Sequence, residues 1–393
     1  MNRIRVGLIY GGRSGEHDVS LQTALAVIQA FDRDKYDIYP FYITKQGQWQ
    51  AQAALQGEVT TVQQLIAGGS AQSDQTKPVR ISAVEQQLDV RHGGPLEPLF
   101  AFMKERAQDM TAKQGSSNRL DVVFPLLHGT FGEDGTIQGL LEMVNMPYVG
   151  AGVLASAVGM DKVTMKKVLA QEGLPQCLYR YFTKREWQKE REYYIMEMET
   201  VLGYPCFVKP ANLGSSVGIT KASNREELIE AIDIAFQYDR KVIVEEAIDA
   251  REVEISVLGN DDPITSVVGE VVPSNEFYDY KAKYIDGTSA MIIPAEITDE
   301  QDAELRDLAI RTFKAVDASG LSRVDFFIGK QDGRIMINEI NTMPGFTPFS
   351  MYPMLWKQSG KPYAELIDNL IELAMERHEE KQQLRYSFDV ETE

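Results

Sequence analysis

The sequence predicts an α/β fold whose N-terminal part is a doubly wound parallel sheet, and three observations support this. Residues 4–10 are a short, continuous apolar run of the kind found in buried parallel strands. A glycine-rich turn follows, and residues 20–31 then have the apolar spacing of a helix. The same order recurs at residues 120–144, where a buried strand ends in a second glycine-rich turn before a helix. Strand, turn and helix in this order form the βα unit of such a domain.

The remaining elements divide the chain into three parts, with boundaries near residues 150 and 250. In residues 1–150 a second strand is expected at 37–44, and segment 50–118 is expected to be an elaborated surface region with one short strand and one helix near 96–109. For residues 151–250 we predict one amphipathic helix over 152–175, a charged helix over 184–200, and three strands around a further helix.

For residues 251–393 we predict five elements in chain order: a strand at 251–259, a long loop at 273–290, a helix at 299–318, a hairpin at 321–345 and a last helix at 362–381.

Composition narrows the functional classes. A chain of 393 residues predicts two or three domains, and its net charge of −18 argues against a nucleic-acid or membrane-surface partner. The only two cysteines, Cys177 and Cys206, fit a reducing cytoplasm, and four histidines do not favour a His-rich zinc site. The N-terminus has the pattern of a strand and not of a signal peptide, and no apolar stretch reaches transmembrane length.

The hairpin at 321–345 has the strongest functional pattern in the chain. Its apolar and β-branched arms are joined by a turn in which Gly333 can adopt a positive φ, and a three-residue loop at 331–333 sets the register. That register places two opposed polar pairs on one face: Asp325 with Glu339, and Arg323 with Asn341. The flanking apolar residues point the other way, into a core.

Two opposed carboxylates repel each other unless a positive group lies between them. Asp, Glu and Asn oxygens are hard ligands suited to Mg²⁺ or Mn²⁺, and Mg²⁺ often completes its shell with substrate phosphates. The hairpin therefore predicts a divalent-metal site at Asp325, Glu339 and Asn341. The solvent-facing side of an ordinary hairpin is the alternative that the residues leave open.

Two segments suggest phosphate and nucleoside binding. Residues 207–218 place Lys209 at a strand end before a loop of small residues, whose N–H groups can hold phosphate oxygens together with the hydroxyls of Ser215 and Ser216. Lys209 precedes the glycine, so this is not a Walker A loop; Lys162 is a second, weaker candidate. Residues 244–248 resemble an adenine hinge. Each feature has a structural alternative: the loop of residues 207–218 can be a tight connection, Lys162 a solvated lysine, and residues 244–248 an edge strand with a charged end.

Three further positions have both a structural and a functional interpretation. Glu16 lies in the first turn of a helix, where the dipole favours an anion whatever its function. His128 follows a strand end, where ligands bind in open α/β sheets, although a lone histidine there can be structural. Lys283 and Tyr284 lie in a tyrosine-rich loop before the hairpin, which suggests a substrate lid or simple surface decoration.

Taken together, these motifs resemble the ATP-grasp superfamily, which activates carboxylates as acyl phosphates. Within it, the chain is similar over nearly its whole length to the D-alanine–D-alanine ligase family. The segments that carry the resemblance, in the family's order, are GGRSGEHDVS, LHGTFGEDG, ASAVGMDK, VKPANLGSSVG, YDYKAKY, RVDFF and NEINTMPGFTPFS. Segment 50–118 is longer than in many members and resembles the larger ones. The resemblance implies a three-domain ATP-grasp architecture in which residues 151–250 and 251–393 form two α+β domains that clasp ATP.

The resemblance also implies a role for each matching residue. ATP would be bound by Lys162, Lys209, Ser216, Glu245, Glu246, Ile248 and Glu252, and two Mg²⁺ or Mn²⁺ by Asp325, Glu339 and Asn341. Glu16 would bind the ammonium group of the first D-alanine, His128 would lie near its carboxylate, and Ser215 and Tyr284 would join Glu16 in a hydrogen-bonded set. Arg323 and the N–H of Gly345 would stabilise the oxyanion, with Lys283 and Ser350 beside the γ-phosphate and the second carboxylate.

The implied reaction is the ATP-dependent formation of D-alanyl-D-alanine, and a homodimer built on the N-terminal domain is implied as well. Two alternatives stay open. One is a related ligase whose second substrate is D-lactate or D-serine, and the other is a non-catalytic nucleotide-binding regulator. Retention of all three metal ligands together with Arg323 counts against the regulator.

Overall fold

A computed structural model describes residues 3–66, 120–214, 217–272 and 290–385. These ranges form three β-sheets with helices packed on them, in a mixed α/β arrangement as expected. The predicted helix near 96–109, the short strand before it and most of the predicted loop at 273–290 lie outside the described residues. Within the described ranges, every helix is too short or too polar to cross a membrane.

The first sheet confirms the predicted parallel N-terminal domain. Its order is β3-β2-β1-β4, with β2 and β4 parallel to β1 and β3 antiparallel at the edge. The strands are β1 Ile4–Gly11, β2 Tyr36–Ile43, β3 Trp49–Ala51 and β4 Val122–Leu126, and the helices are α1 His17–Ala30, α2 Val62–Ile66 and α3 Thr136–Met143. The carboxyl ends of the adjacent β1 and β4 bring the turns that carry Glu16 and His128 to one edge of the sheet.

The prediction of a single helix over residues 152–175 was wrong. The structure has two helices, α4 Val153–Met160 and α5 Lys162–Gln171. Asp161 between them is extended, and its side chain accepts a hydrogen bond from the Thr164 N–H at 2.8 Å. An aspartate in this N-cap position satisfies an N–H group that has no partner within the helix. The break makes Lys162 the first residue of α5.

The second sheet is antiparallel and has the order β5-β8-β6-β7. Its strands are β5 Tyr179–Thr183, β6 Cys206–Pro210, β7 Thr220–Ala222 and β8 Lys241–Glu246, and it carries helices α6 Lys184–Val201 and α7 Arg225–Ala235. Thr183 and Glu186 form a capping box at the start of α6. One face of the sheet packs with α6 and α7 into a core that includes Phe182, Trp187 and Leu228.

The third sheet is also antiparallel, with the order β11-β10-β9-β12-β13. Its strands are β9 Ala250–Gly259, β10 Ile264–Val272, β11 Ala290–Ile292, β12 Gly320–Gly329 and β13 Ile335–Asn341, with helices α8 Asp299–Ala315, α9 Met351–Gln358 and α10 Tyr363–Gln382. Sequence reasoning missed α9. Its proline, Pro353, lies in the first turn, where the missing N–H disrupts no helical hydrogen bond.

The hairpin of β12 and β13 has the predicted register but not the predicted loop. Asp325 pairs with Glu339 and Arg323 pairs with Asn341, as the sequence predicts. The turn contains four residues, 330–333, where three were expected. By itself, a loop longer by one residue would shift every pair of the hairpin by one position.

A β-bulge restores the register. At the turn, the N–H of Gly329 donates to the carbonyl of Arg334 at 3.0 Å, which fixes the four-residue loop. Farther along, the register shifts between Asp325 and Phe326, and Asn338 is the extra residue on the opposite strand. The longer loop and the bulge therefore compensate each other, and the ligand face is the one predicted.

The first sheet shares its hydrophobic core with the end of the chain. Leu366, Leu370 and other buried residues of α10 belong to the same cluster as Val6 and Leu8 of β1. Arg377 of α10 fixes this docking, because its guanidinium donates to the carbonyls of Tyr148 and Gly150 and to the Ser319 hydroxyl. The division near residues 150 and 250 stays a prediction.

We expect Arg377→Met to lower the free energy of unfolding by about 2–3 kcal/mol, because three hydrogen bonds from a partly buried charged group are lost while the packed stem remains. Lys381→Met on the same helix is the matched control. Lys381 pairs with Glu142, but both side chains are one-third or more exposed, so its loss should cost less than about 1 kcal/mol. Equilibrium denaturant unfolding of both variants measures the difference. Equal effects would contradict the role given to Arg377.

Candidate active site

A cavity of about 670 Å³ lies where elements of the three sheets meet. The turn after β1 and the end of β4 contribute to it, as do the start of α5, the loop after β6 and one face of the third sheet. Eight of the sequence-predicted site residues line it: Glu16, His128, Lys162, Arg323, Glu339, Asn341, Gly345 and Ser350. The fold thus gathers residues that are more than 330 positions apart in the chain around one space.

Three carboxylates form a row across the third sheet. Glu254 on β9 is the register partner of Asp325 on β12, and Asp325 is the register partner of Glu339 on β13. Register partners point to the same face of a sheet, so the three acids lie side by side. Arg323 and Asn341 occupy the next level on that face, two residues along their strands. Sequence reasoning found every member except Glu254.

Arg323 neutralises the centre of the row. Its Nε and Nη2 donate to Oδ1 and Oδ2 of Asp325, both at 2.7 Å, and its Nε lies 2.8 Å from Glu254 Oε2. Asn341 Nδ2 donates to Asp325 Oδ2 at 3.0 Å. Burial lowers the pKa of the guanidinium, but the charges of Asp325 and Glu254 outweigh it and hold that pKa well above its ordinary value.

The third acid of the row has its own cation. Lys162 Nζ lies 3.1 Å from Glu339 Oε2 and donates to the Leu213 carbonyl at 3.1 Å. Both side chains are partly exposed to the cavity. The break before α5 puts this lysine at the helix start, where it reaches β13.

The donor set fits a hard divalent cation. Two carboxylates and one amide oxygen project from the same face of one hairpin, and a third carboxylate stands beside them. Oxygen ligands of this kind suit Mg²⁺ or Mn²⁺. Arg323 and Lys162 are the positive groups paired with the row in the structure.

Two lysines share the buried Glu245: Lys166, which is buried, and Lys209, which is mostly buried. Lys209 Nζ lies 2.5 Å from one oxygen of Glu245, and Lys166 Nζ lies 3.1 Å from the other and 3.4 Å from Cys177 Sγ. Burial raises the pKa of Glu245, but the two ammonium groups outweigh it and lower that pKa to about 2. Lys166 was not predicted. Its spacing of four residues from Lys162 was the available signal, since both then share a helix face.

At the opposite side of the cavity, Glu16, His128 and Glu133 form an acidic and imidazole cluster with ligand atoms within 4.8 Å of one another. His128 lies with Nδ1 3.3 Å from the Met343 carbonyl and Nε2 3.2 Å from Thr23 Oγ1. Burial lowers the pKa of His128, but Glu133, Glu16 and the carbonyl outweigh it and raise that pKa above its ordinary value. Glu133 was not predicted, although it belongs to the same glycine-rich turn as His128.

Gly345 and Ser350 lie on the segment between β13 and α9. A Cβ on Gly345 would lie 3.1 Å from Ser350 Oγ, so the backbone approaches the hydroxyl more closely than a side chain would easily permit. Ser350 Oγ is 2.8 Å from Thr347 Oγ1 and accepts the Thr347 N–H at 3.1 Å. This local network orients the start of α9 at the cavity.

Other predicted residues lie outside the part of the cavity lining that the structure describes. Asp325 pairs with the lining residue Arg323, and Lys209 pairs with Glu245. Glu246 is the last residue of β8, Ile248 lies between β8 and β9, and Glu252 lies on β9. In the predicted hinge, the N–H groups of Glu246 and Ala247 donate to the carbonyls of Leu178 and Pro205. Four predicted positions lie outside the described residues: Ser215, Ser216, Lys283 and Tyr284.

Known proteins match this chain over nearly its whole length. The sequence profile described as D-ala D-ala ligase N-terminus matches residues 5–151, and the one described as D-ala D-ala ligase C-terminus matches residues 168–372. The D-alanine–D-alanine ligase of Bacillus cytotoxicus is 56% identical over 98% of this chain and 100% of its own length. That of Listeria monocytogenes is 47% identical over 97% of this chain and 98% of its own.

Solved structures agree with the sequence matches. The D-alanine-D-alanine ligase from Coxiella burnetii has a TM-score of 0.74 and 31% identity, covering 98% of this chain and 97% of its own. The VanG D-Ala:D-Ser ligase from Enterococcus faecalis has a TM-score of 0.74 and 33% identity, covering 95% of this chain and 100% of its own. With its sheets, its cavity and these relatives, the chain belongs to the D-alanine–D-alanine ligase family and has the ATP-grasp fold.

Proposed function

We propose that this protein joins two D-alanine molecules into D-alanyl-D-alanine for peptidoglycan precursor synthesis, with ATP converted to ADP and phosphate. The observation that carries the proposal is the cavity itself. It faces a carboxylate row with paired cations on one side and the Glu16–His128 cluster on the other. A reaction between an anionic phosphate donor and a zwitterionic amino acid needs both kinds of surface.

The cations would bind the nucleotide. In this proposal Lys162 and Lys209 contact the phosphates of ATP, with the loop around Ser215 and Ser216 over them. Glu245, Glu246, Ile248 and Glu252 hold the adenosine. Since Glu246 and Ala247 N–H groups are used within the chain, the Ile248 N–H, which donates to no residue in the described ranges, is the backbone donor proposed for adenine.

Two Mg²⁺ or Mn²⁺ are proposed at Asp325, Glu339 and Asn341, where they would neutralise the charge of the transferred phosphoryl group. Lys162 would be released from Glu339, to which it is now paired at 3.1 Å, and would turn to the phosphates. The protein's own cations therefore hold the acids in place until ATP arrives.

The amino acids would bind at the other side. Glu16 takes the ammonium group of the first D-alanine, and His128, whose raised pKa favours the charged imidazolium, lies near the carboxylate. That carboxylate attacks the γ-phosphorus of ATP, which gives D-alanyl phosphate and ADP. Because an acyl phosphate hydrolyses readily in water, the loop with Lys283 and Tyr284 is proposed to cover the cavity.

The second D-alanine attacks the acyl carbon as a free amine and releases phosphate. Arg323 and the Gly345 N–H are proposed to stabilise the tetrahedral oxyanion, while Ser350 and Lys283 contact the second carboxylate and the γ-phosphate. An oxyanion donor of this kind typically contributes ~3 kcal/mol to the transition state. Glu16, Ser215 and Tyr284 are proposed to link the three domains during the reaction. A cytoplasmic location and a homodimer complete the proposal.

An amino-acid panel scored for phosphate release and product mass tests the proposal. We expect ATP-dependent phosphate release with D-alanine alone and a product with the mass of the D-alanyl-D-alanine dipeptide. A mixed product with D-serine or D-lactate as the preferred outcome would assign the chain to a related ligase. Absence of phosphate release with every substrate would favour a nucleotide-binding regulator and overturn the proposal.

Asp325→Asn and Glu339→Gln should each lower kcat/KM by roughly a hundredfold or more and raise the Mg²⁺ concentration needed for half-maximal rate, because each removes a charge from the metal ligands. Asp332→Asn on the exposed tip of the same hairpin is the control and should behave as wild type. Steady-state rates across a Mg²⁺ series measure this. Unchanged Mg²⁺ dependence in both site variants would refute the metal assignment.

Lys166→Met should raise the KM for ATP roughly tenfold with a smaller effect on kcat. Without Lys166, Lys209 is the only ammonium group paired with Glu245, and this stronger pairing would hold Lys209 away from the phosphates. Lys167→Met is the matched control. Lys167 is on the same helix as Lys166, but its ammonium group lies over the ring of Tyr181 on β5, so this variant should leave the KM unchanged. If both variants bind ATP as wild type does, Lys166 has no part in the nucleotide site.

The pairing of Glu245 with Lys166 and Lys209 also predicts how the stability of the fold depends on pH. The pKa of Glu245 is lowered to about 2 in the fold, below the roughly 4.3 of an unfolded glutamate. Its pairing therefore stabilises the fold fully above about pH 4.3, and this contribution is lost as the pH falls toward 2. The destabilisation by Lys166→Met should shrink over that interval, as measured by denaturant unfolding at each pH.

A further inference from the structure

Glu254 belongs to the carboxylate row but has no role in the proposed reaction. It lies between Asp325 on β12 and Gly269 on β10, and only 9% of its surface is exposed. It lines the cavity, and its Oε2 is 2.8 Å from Nε of Arg323. A buried carboxylate at this distance from a catalytic guanidinium calls for a function.

The present partners of Arg323 conflict with a metal at the same place. Both oxygens of Asp325 accept hydrogen bonds from the guanidinium, and Oδ2 also accepts one from Asn341. A divalent cation on Asp325 must take at least one of these oxygens. Because the cation and the guanidinium are both positive, they repel each other across a few ångströms of partly buried space. Arg323 then needs another anion.

Glu254 is the anion that is already in contact. Glu339, on the other side of the row, is paired with Lys162 and stands on the metal hairpin itself. Leaving a buried guanidinium without a carboxylate is strongly destabilising, so Arg323 would otherwise leave its place when the metal binds. Glu254 and Asp325 are adjacent on neighbouring strands, so the fork can pass from one to the other by a small side-chain movement.

We propose that Glu254 is a positioning residue that holds Arg323 at the cavity when a divalent cation occupies Asp325. Metal binding and the orientation of the oxyanion donor are coupled in this way through one guanidinium shared by two acids. The inference rests on the proposed function for the roles of Arg323 and the metal, and it adds a residue that acts through Arg323.

The decisive readout is the side-chain N–H signal of Arg323 in protein labelled with ¹⁵N-arginine. The signal that disappears from the spectrum of Arg323→Lys is assigned to Arg323. With Mg²⁺ and a non-hydrolysable ATP analogue, the Nε–H of wild type should keep the downfield shift and slow solvent exchange of a carboxylate-paired guanidinium. In Glu254→Gln the same addition should abolish both features, whereas without metal the Nε–H should stay protected in both proteins, because Asp325 still accepts its hydrogen bond.

Kinetics provide an independent readout. Glu254→Gln should lower kcat roughly ten- to a hundredfold while the KM for ATP stays within about threefold, because the variant affects a donor used in the transition state. Glu254→Asp keeps the charge but is one methylene too short for the contact, so it should resemble the Gln variant. Thermal unfolding of each variant verifies the fold.

Glu270→Gln is the matched control. Glu270 on β10 is also nearly buried and pairs with an arginine, Arg251, but its register partner is Val253, so it points to the other face of the sheet. Its variant should leave kcat and the Arg323 signal unchanged. The proposal is overturned if Arg323 in Glu254→Gln stays as protected with metal as in wild type, or if Glu254→Asp restores full activity. Since the spectra need no turnover, they remain informative even if wild type makes no dipeptide.

Discussion

The site depends on the packing of three carboxylates side by side against two cations. Acids at the same level of β9, β12 and β13 repel one another, and Arg323 and Lys162, which lie among them, offset that repulsion. Two features of the fold support this arrangement. The break before α5 brings Lys162 to β13, and the bulge in β13 aligns Glu339 with Asp325.

The hairpin shows how far sequence reasoning reaches. Local pattern predicted its two arms and the face that Asp325, Glu339, Arg323 and Asn341 share, and both are confirmed. The loop length was wrong by one residue. Composition does not distinguish a three-residue loop from a four-residue loop with a bulge, because both bring the same pairs together. The correct ligand face was therefore predicted from an incorrect turn.

Residues contributed across strands could not be found in this way. Glu254 joins the row only because β9 lies beside β12, and the two strands are separated in sequence by β10, β11 and α8. In a strand where polar and apolar residues alternate, a glutamate such as Glu254 carries no functional signal. Lys166 had a signal in its spacing from Lys162, and Asp161 had one as an N-cap residue, but the apolar periodicity that runs through both helices masked the break. The roles taken from family resemblance stay predictions.

The docking of α10 on the first sheet has a consequence for synthesis. The N-terminus of a chain leaves the ribosome first, and domains generally begin to fold as they emerge. Here, residues of β1 share their core with α10, which follows them by more than 350 positions. One apolar face of the first sheet therefore stays uncovered until residues 363–382 have been synthesised. We expect the nascent protein to be a chaperone client during that interval, and the order of its translation to set the moment at which the N-terminal unit becomes stable.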